Sequence, residues 1–198
     1  LMLSEMAKAV DFELGFHIIN GEFASTGDDK LFNGIIKRIS DDADTIRIAT
    51  PKAITEENVI AVLKNIYTKT PKRIRQHPSF KLLMSADKYD EALSNLPNKG
   101  TAYTDTNVKR FKGIVIESLV DMPEHVIIGT IASNDMNSNL WLGVHSLDDT
   151  TTVKVGLLSN AGENYFFKMK MKVDTQIAWG DQTIFYDGRA GAVSIGNI

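Results

Sequence analysis

Cysteine is absent from this 198-residue sequence. Without thiols the chain can form no disulfide, no thiolate nucleophile and no zinc site built on thiolates. Histidine is scarce, and no two of the four histidines stand four residues apart, the helical spacing that turns two imidazoles toward one metal ion. They are His17, His77, His125 and His145. We therefore predict no metal site.

A basic excess and long apolar runs are also missing. Lysine and arginine total 22 against 25 aspartates and glutamates, which gives a formal net charge of -3. Dedicated nucleic-acid-binding domains usually carry a basic surplus that neutralises phosphate. No apolar run approaches twenty residues, and no charged segment followed by an apolar one marks a signal peptide. We therefore predict neither a dedicated nucleic-acid-binding domain nor a membrane partner.

Motifs of enzyme chemistry are not recognisable in the chain. No nucleophile elbow, phosphate loop or pairing of a nucleophile with a base stands out. Asp41, Asp42 and Asp44 lack the glycine and the distal glutamate of a calcium loop, so they indicate a solvated turn. We predict no catalytic residue and no cofactor. A small α/β enzyme with an unrecognised site is the alternative from another class of function.

Hydrophobic residues make up 43% of the chain, enough for one substantial core. Apolar residues recur at spacings of three and four in three segments, which predicts amphipathic helices. These are Leu1 to Ile19, Thr55 to Thr68 and Ser85 to Asn95, and Thr55 stands where an N-cap is expected.

Runs of branched aliphatic residues predict the strands. Gly113 to Leu119 and Val126 to Ala132 are typical of buried central strands, and Tyr165 to Val173 alternates between apolar residues and lysines. We predict an α/β (α+β) fold with a central mixed sheet. Trp141 and Phe111 lie beside apolar runs, so we expect both to fill the core between the sheet and the helix at Thr55.

The order of several short signatures resembles that of tailed-bacteriophage major capsid proteins with the Hong Kong 97-type fold. No signature is specific alone, but together they run through nearly the whole chain. They are Ile18-Ile19-Asn20-Gly21, Asn33-Gly34-Ile35, Ile66 to Pro71, Met84 to Tyr89, Lys112 to Ile116, Met122-Pro123, Asn139-Leu140 and Ala178 to Ile184. The resemblance implies a spine helix and a connecting strand of a peripheral lobe at 1–40, an axial lobe at 41–148, and return strands of the peripheral lobe at 149–198.

The function that the resemblance implies is structural, not enzymatic. A capsid subunit of a phage or prophage self-assembles into pentamers and hexamers of an icosahedral shell enclosing DNA. The implied partners are copies of the chain itself, double-stranded DNA through weak non-specific contact, and scaffold or portal proteins. The implied location is the virion, after assembly in the host bacterial cytoplasm. An encapsulin-type compartment subunit, which has the same fold, is the alternative.

Two sets of residues are candidates for contacts in such a shell. Lys168, Lys170 and Lys172 lie about 7 Å apart along one strand face, where they can meet phosphates or simply keep the sheet solvated. The second set belongs to the polar loop from Leu96 to Lys109, which we expect near the ring axis. It comprises Asn98, Lys99, Thr101 and Tyr103.

Family members carry an N-terminal arm and an extended hairpin loop ahead of the spine helix, whereas this sequence opens on Leu1 within the helical pattern. We expect it to be a fragment of a longer chain. Because the loops that remain are polar, we also expect a monomer or low oligomer in dilute solution, without closure of a shell.

Overall fold

The computed structural model describes residues 2–24, 31–95, 110–145, 153–157, 165–169 and 172–189. The helices in these ranges are α1 (Met2–Asn20), α2 (Ile35–Asp41), α3 (Val59–Lys69), α4 (Lys72–Arg75) and α5 (Ala86–Asn95). The strands are β1 (Ile46–Arg47), β2 (Phe80–Ser85), β3 (Arg110–Phe111), β4 (Ile114–Leu119), β5 (Val126–Ile131), β6 (Leu140–Val144), β7 (Val153–Leu157), β8 (Tyr165–Met169), β9 (Val173–Ile177) and β10 (Ile184–Asp187). A 3-10 turn, Gly180–Gln182, precedes β10.

Six of these strands form a mixed sheet in the order β1-β10-β5-β2-β4-β3. Strand β5 is antiparallel to both of its neighbours, while β2 and β4 run parallel. All six residues of β5 are buried, as expected for a strand covered on both faces. The predicted mixed sheet, with its apolar strand at 126–131 in a central position, is confirmed.

Each face of the sheet has its own apolar core, because successive side chains of a strand point to opposite faces. Leu82 and Met84 of β2 pack on the face that α3 covers, and Leu83 packs on the face that α2 covers. Phe111 is buried in the first core, and its ring meets that of Tyr67 edge to face at 6.5 Å between centroids. The predicted burial of Phe111 beside this helix is confirmed.

The segment at Gly34 corrects one expectation, since it leads into helix α2 and not into a connecting strand. Ile36 and Ile39 are buried three residues apart, the spacing of one helix face. The chain makes a tight contact just before the helix, where the amide of Gly34 donates to the carbonyl oxygen of Gly21 at 2.7 Å. A Cβ on Gly34 would lie 2.7 Å from the nitrogen of Gly21. Only glycine fits there without movement of the backbone.

The start of α3 was also predicted incorrectly. Asn58, not Thr55, occupies the N-cap position. Thr55 takes part in a turn instead, with its carbonyl oxygen accepting from the amides of Asn58 and Val59. The carboxamide of Asn58 closes this turn by accepting from the Thr55 amide at 3.0 Å. The negative charges at positions 56 and 57 therefore precede the helix.

The alternating run from Tyr165 to Val173 is divided between two strands with different partners. Strand β8 pairs with β7, and β9 pairs with β6, in two separate two-stranded ribbons. The single strand predicted there is wrong, because alternation of side chains does not reveal a change of partner. The predicted alternation of apolar side chains and lysines falls on side chains outside the described part of the chain, among them Phe167, Met169 and Met171.

Strand β10 returns from the C-terminal third of the chain into the central sheet, where it lies between β1 and β5. The range 149–198, expected as a peripheral segment, thus contributes Ile184–Asp187 to the same sheet as the range 41–148. The division into lobes remains a prediction.

Candidate interaction surfaces

A buried polar junction joins the central sheet to the ribbon of β6 and β9. Asn139 is 1% exposed, and its Nδ2 donates toward Thr130 Oγ1 at 3.0 Å, Thr183 Oγ1 at 2.8 Å and the Trp179 carbonyl oxygen at 2.8 Å. Its Oδ1 accepts from the Trp179 amide at 2.6 Å. The backbone amide of Asn139 also donates to the carbonyl oxygen of Ile131 at 2.8 Å. Asn139 directly precedes β6, and its side chain therefore links this strand to Thr130 in β5 and to Trp179 and Thr183, which follow β9.

Trp141 lies outside the core, which corrects the prediction that it fills the space beneath α3. Its side chain is 43% exposed, and Trp179 and Met136 beside it are 61% and 87% exposed. All three line a cleft of about 930 Å³, whose apolar floor includes Ile74 and Ile131. The physical reason is the pairing of its strand: β6 bonds to β9 and not to the central sheet, so one of its faces is left open.

An ion pair clamps the opposite part of the ribbon to α2. Arg38 Nη2 donates to both carboxylate oxygens of Asp174, at 2.8 and 2.9 Å. Thr175 adds a hydrogen bond from its hydroxyl to the carbonyl oxygen of Asn33 at 2.6 Å. The ribbon is thus held by specific polar contacts at two places, at Asn139 and at α2.

The aspartates at the end of α2 have structural partners. Asp42 Oδ2 accepts from the Thr45 hydroxyl at 2.9 Å, and the Asp42 side chain fills the space over Gly180, which has no Cβ. Asp41 pairs with Lys37 at 2.8 Å, and this hydrogen bond to Asp41 raises the pKa of Lys37. Within the described ranges, no three histidine, aspartate or glutamate side chains are grouped to hold a metal ion.

The described histidines have separate structural surroundings. His17 is buried, and its Nδ1 lies 2.7 Å from the carbonyl oxygen of Glu13. His125 Nδ1 accepts from the Ile54 amide at 3.1 Å, and His77 Nδ1 accepts from the Ser79 amide at 3.2 Å. Nitrogen atoms that accept amide protons are not free to ligate a metal through the same lone pair.

At the C-terminal end of β10, Asp187 and Arg189 form an ion pair. Burial raises the pKa of Asp187, but the hydrogen bond and the charge of Arg189 outweigh burial and lower it overall. The hydrogen bond to Asp187 likewise raises the pKa of Arg189. In the same strand, burial raises the pKa of Tyr186, whose hydroxyl donates to the Lys52 carbonyl oxygen at 2.6 Å. These contacts hold the C-terminal end of the strand in place.

The residues predicted as shell contacts lie almost entirely outside the described parts of the chain. This holds for Asn98, Lys99, Thr101 and Tyr103, for Lys170, and for the side chain of Lys168. Lys172 is exposed. These candidates stay predictions. The burial of Asn139 and its hydrogen bonds were not predicted from the sequence, because an asparagine in an Asn-rich stretch is typical of a solvated loop. Its place directly before an apolar strand was the one available hint.

Among the helices in the described residues, none is both long enough and apolar enough to span a bilayer. No protein-family model matches the sequence, and no curated protein sequence matches it.

Solved structures do match. A structure of the cyanophage A-1(L) capsid asymmetric unit aligns with a TM-score of 0.59 at 12% identity, covering 94% of this chain and 67% of its own. A structure of the satellite phage P4 procapsid, including size determination (Sid) protein, aligns with a TM-score of 0.61 at 11% identity, covering 91% and 60%. A structure of the holo-SrpI encapsulin complex from Synechococcus elongatus PCC 7942 aligns less well, with a TM-score of 0.49 at 8% identity, covering 79% of this chain and 56% of its own.

The mixed helix-and-sheet architecture and these two phage structures define the class of fold: this chain has the phage capsid fold. The expectation from the order of sequence signatures is thereby confirmed at the level of fold. At this low identity the likeness carries the fold alone, and the chain spans about two thirds of the capsid chains that it matches.

Proposed function

We propose that this protein is a major capsid subunit of a phage or prophage, which self-assembles into pentamers and hexamers of an icosahedral shell. The observation that carries the proposal is the extent of the likeness, which spans more than nine tenths of this chain in both phage structures. The exposed side chains of Trp141 and Trp179 support it, because tryptophan is enriched among the residues that anchor protein interfaces.

The positions of the apolar surfaces favour a head-to-tail contact between copies. Helix α1 contacts Asp121, just before β5, through a hydrogen bond from Asn20 Nδ2 to the Asp121 carbonyl oxygen at 2.7 Å. It carries Phe12, which is 68% exposed. The cleft with both tryptophans includes Ile131, at the other end of β5. A six-residue strand spans about 20 Å, so the segments that carry the two apolar surfaces are attached near opposite ends of β5. A contact between two such different surfaces is head-to-tail, and it closes into a ring when the rotation between successive copies closes.

The finer parts of the proposal concern contents, partners and location. The shell would enclose double-stranded DNA, assemble in the host bacterial cytoplasm, become part of the virion, and contact scaffold or portal proteins. The loop residues Asn98, Lys99, Thr101 and Tyr103 would meet neighbouring copies, and Lys168, Lys170 and Lys172 would meet DNA. We also propose that the protein is not an enzyme, since the buried polar groups described above serve the fold.

Sedimentation velocity over a range of protein concentrations tests this proposal. We expect the 21.9 kDa chain to form higher oligomers as concentration rises, and the double variant Trp141→Ser/Trp179→Ser to shift that transition to higher concentration. The variant Leu157→Ser is a control, because Leu157 is 58% exposed on β7 and does not line the cleft. Equal association by the wild type and the double variant would contradict a role for the cleft.

A further inference from the structure

Tyr67, near the end of α3, holds two cations on its ring. The guanidinium carbon of Arg75 lies 4.4 Å from the ring centroid, and Lys112 Nζ lies 4.6 Å from it. Arg75 is fixed further, because its Nη1 donates to the Tyr67 carbonyl oxygen at 3.0 Å. The ring itself is braced by the edge-to-face contact with Phe111. Side chains from α3, α4 and the turn between β3 and β4 thus converge at one point.

Two further lysines extend this group. Lys64 lies three residues before Tyr67 on α3, and Lys72 lies three residues before Arg75 on α4, a spacing that places side chains on one helix face. Both are exposed, as is Lys112. We call Lys64, Lys72, Arg75 and Lys112, with the ring of Tyr67, the Tyr67 patch.

The cations of the Tyr67 patch have no carboxylate partner within the part of the chain that the structure describes. Every ion pair found there involves other residues. Like charges held close together repel one another. A bound anion would offset this repulsion and stabilise the patch. This concentration of positive charge stands on a chain whose formal net charge is -3.

We propose that the Tyr67 patch binds the phosphate backbone of nucleic acid. Double-stranded DNA carries one charge per roughly 1.7 Å of helix axis, so a short stretch of its backbone offers more phosphates than the patch has cations. A second copy of this chain is a poorer counterpart. Its densest acidic run has three aspartates, Asp41, Asp42 and Asp44, and two of them are already bonded to Lys37 and Thr45.

The proposal deepens the proposed function, because it names the surface of a shell subunit that would meet the enclosed polymer. It differs from the candidate set Lys168, Lys170 and Lys172 in its residues and in its physical basis. Binding by the free subunit tests it without any assembly. A chain that binds DNA and never forms rings would contradict the proposed function but leave this inference standing.

The test is the anisotropy of a fluorescent 20-base-pair duplex titrated with the full chain between 50 and 200 mM NaCl. With four phosphate contacts, the logarithm of the binding constant should fall against the logarithm of salt with a slope of about -3.6. The variant Lys64→Gln/Lys112→Gln should reduce that slope to about -1.8. Lys8→Gln/Lys52→Gln removes the same charge at two exposed lysines outside the patch, and it should keep a slope near that of the wild type.

Three other results would overturn the proposal. The first is an equal loss of slope in both double variants, which would mean diffuse attraction. The second is a loss confined to Lys168→Gln/Lys172→Gln, which would place the contact elsewhere. The third is equally tight binding of poly-L-aspartate, which would show a general anion surface. Replacing the duplex by RNA of the same length distinguishes the two sources of phosphate backbone.

The ring of Tyr67 provides a second readout. Tyr67→Leu removes the surface on which Arg75 and Lys112 rest, and it should weaken DNA binding about threefold at 50 mM NaCl, given the usual strength of exposed cation–π contacts. Tyr67→Phe keeps that surface and should bind as the wild type does. Equal binding by the leucine and phenylalanine variants would contradict the role of the ring.

Discussion

The central sheet and the ribbon of β6 and β9 differ in how much of each is buried and in the contacts that stabilise them. The sheet has a core on each face, and its strand β5 is wholly buried. In the ribbon, four of the five residues of β6 are exposed. Leu140 and Ile177 pack against one core, and Asn139 and the ion pair of Arg38 with Asp174 add polar contacts. The comparison shows that burial on both faces holds the sheet together, whereas the ribbon combines a small apolar contact with polar contacts and keeps apolar surface exposed.

Truncation of two aromatic residues is the strongest test of this contrast. Phe111→Ala empties a buried site in the sheet and should lower the free energy of unfolding by about 3–5 kcal/mol. Trp141→Ala in the ribbon should cost less than half as much, because 43% of its side chain is already exposed. Urea denaturation followed by circular dichroism measures both. Equal losses would show that the ribbon is part of the core.

Two glycines give a matched comparison of backbone fit. Gly34→Ala places a Cβ 2.7 Å from the Gly21 nitrogen, so backbone must move, and we expect a loss of about 1–3 kcal/mol. Gly143→Ala in β6 meets its nearest neighbour atom at 3.7 Å, and should change the stability by less than about 0.5 kcal/mol. Denaturation midpoints of the two variants measure these losses. A Gly34→Ala variant as stable as the wild type would contradict the tight contact between the segments before α2.

Asn139→Ala should lower the free energy of unfolding by about 1–3 kcal/mol, because it leaves the part-buried Trp179 amide and two buried threonine hydroxyls without this partner. Hydrogen exchange should accelerate first in β6 and β9 and leave β5 protected. Asn137→Ala makes the same change of side chain at an exposed position two residues away, and it is the control. Uniform acceleration across the sheet would mean that Asn139 supports the core as a whole.

The smallest effect concerns pH. The folded-state pKa of Asp187 is lowered overall, so its ion pair contributes stability above the unfolded pKa, and that contribution is lost as pH falls through the folded value. Because Arg189 is 45% exposed, solvent screening limits the contribution to less than about 1 kcal/mol. Arg189→Gln should therefore be less stable than wild type at pH 7 and equally stable at pH 2. If the difference in stability between the variant and the wild type were the same at pH 2 and pH 7, ionisation of Asp187 would not contribute to stability.

Much of the central sheet was predictable because its signals are local. The aliphatic run at 126–131 and the spacing of Val59, Leu63 and Ile66 each indicate burial without knowledge of partners. Trp141 shows where this fails. Its burial depends on which strand β6 joins, and its partner residue in β9, Gln176, lies 35 positions away in the sequence.

The interaction surfaces were harder to predict than the core. Tyr67 lies within the helical pattern from Thr55 to Thr68, and Lys72 to His77 is a short basic stretch of the sequence. Neither pattern by itself predicts a shared surface. Their meeting with Lys112 depends on α3, α4 and the β3–β4 turn coming together in space, which periodicity does not encode. The resemblance to capsid proteins succeeded for the fold because it used the order of signatures along the whole chain.

Electron microscopy of the concentrated protein tests the central claim, that this chain is a shell subunit, most directly. The account predicts rings with fivefold or sixfold symmetry in class averages, and the same images check the expectation that the 198-residue chain closes no shell. Particles that remain monomers at every concentration, or that pair only as twofold dimers, would contradict the claim.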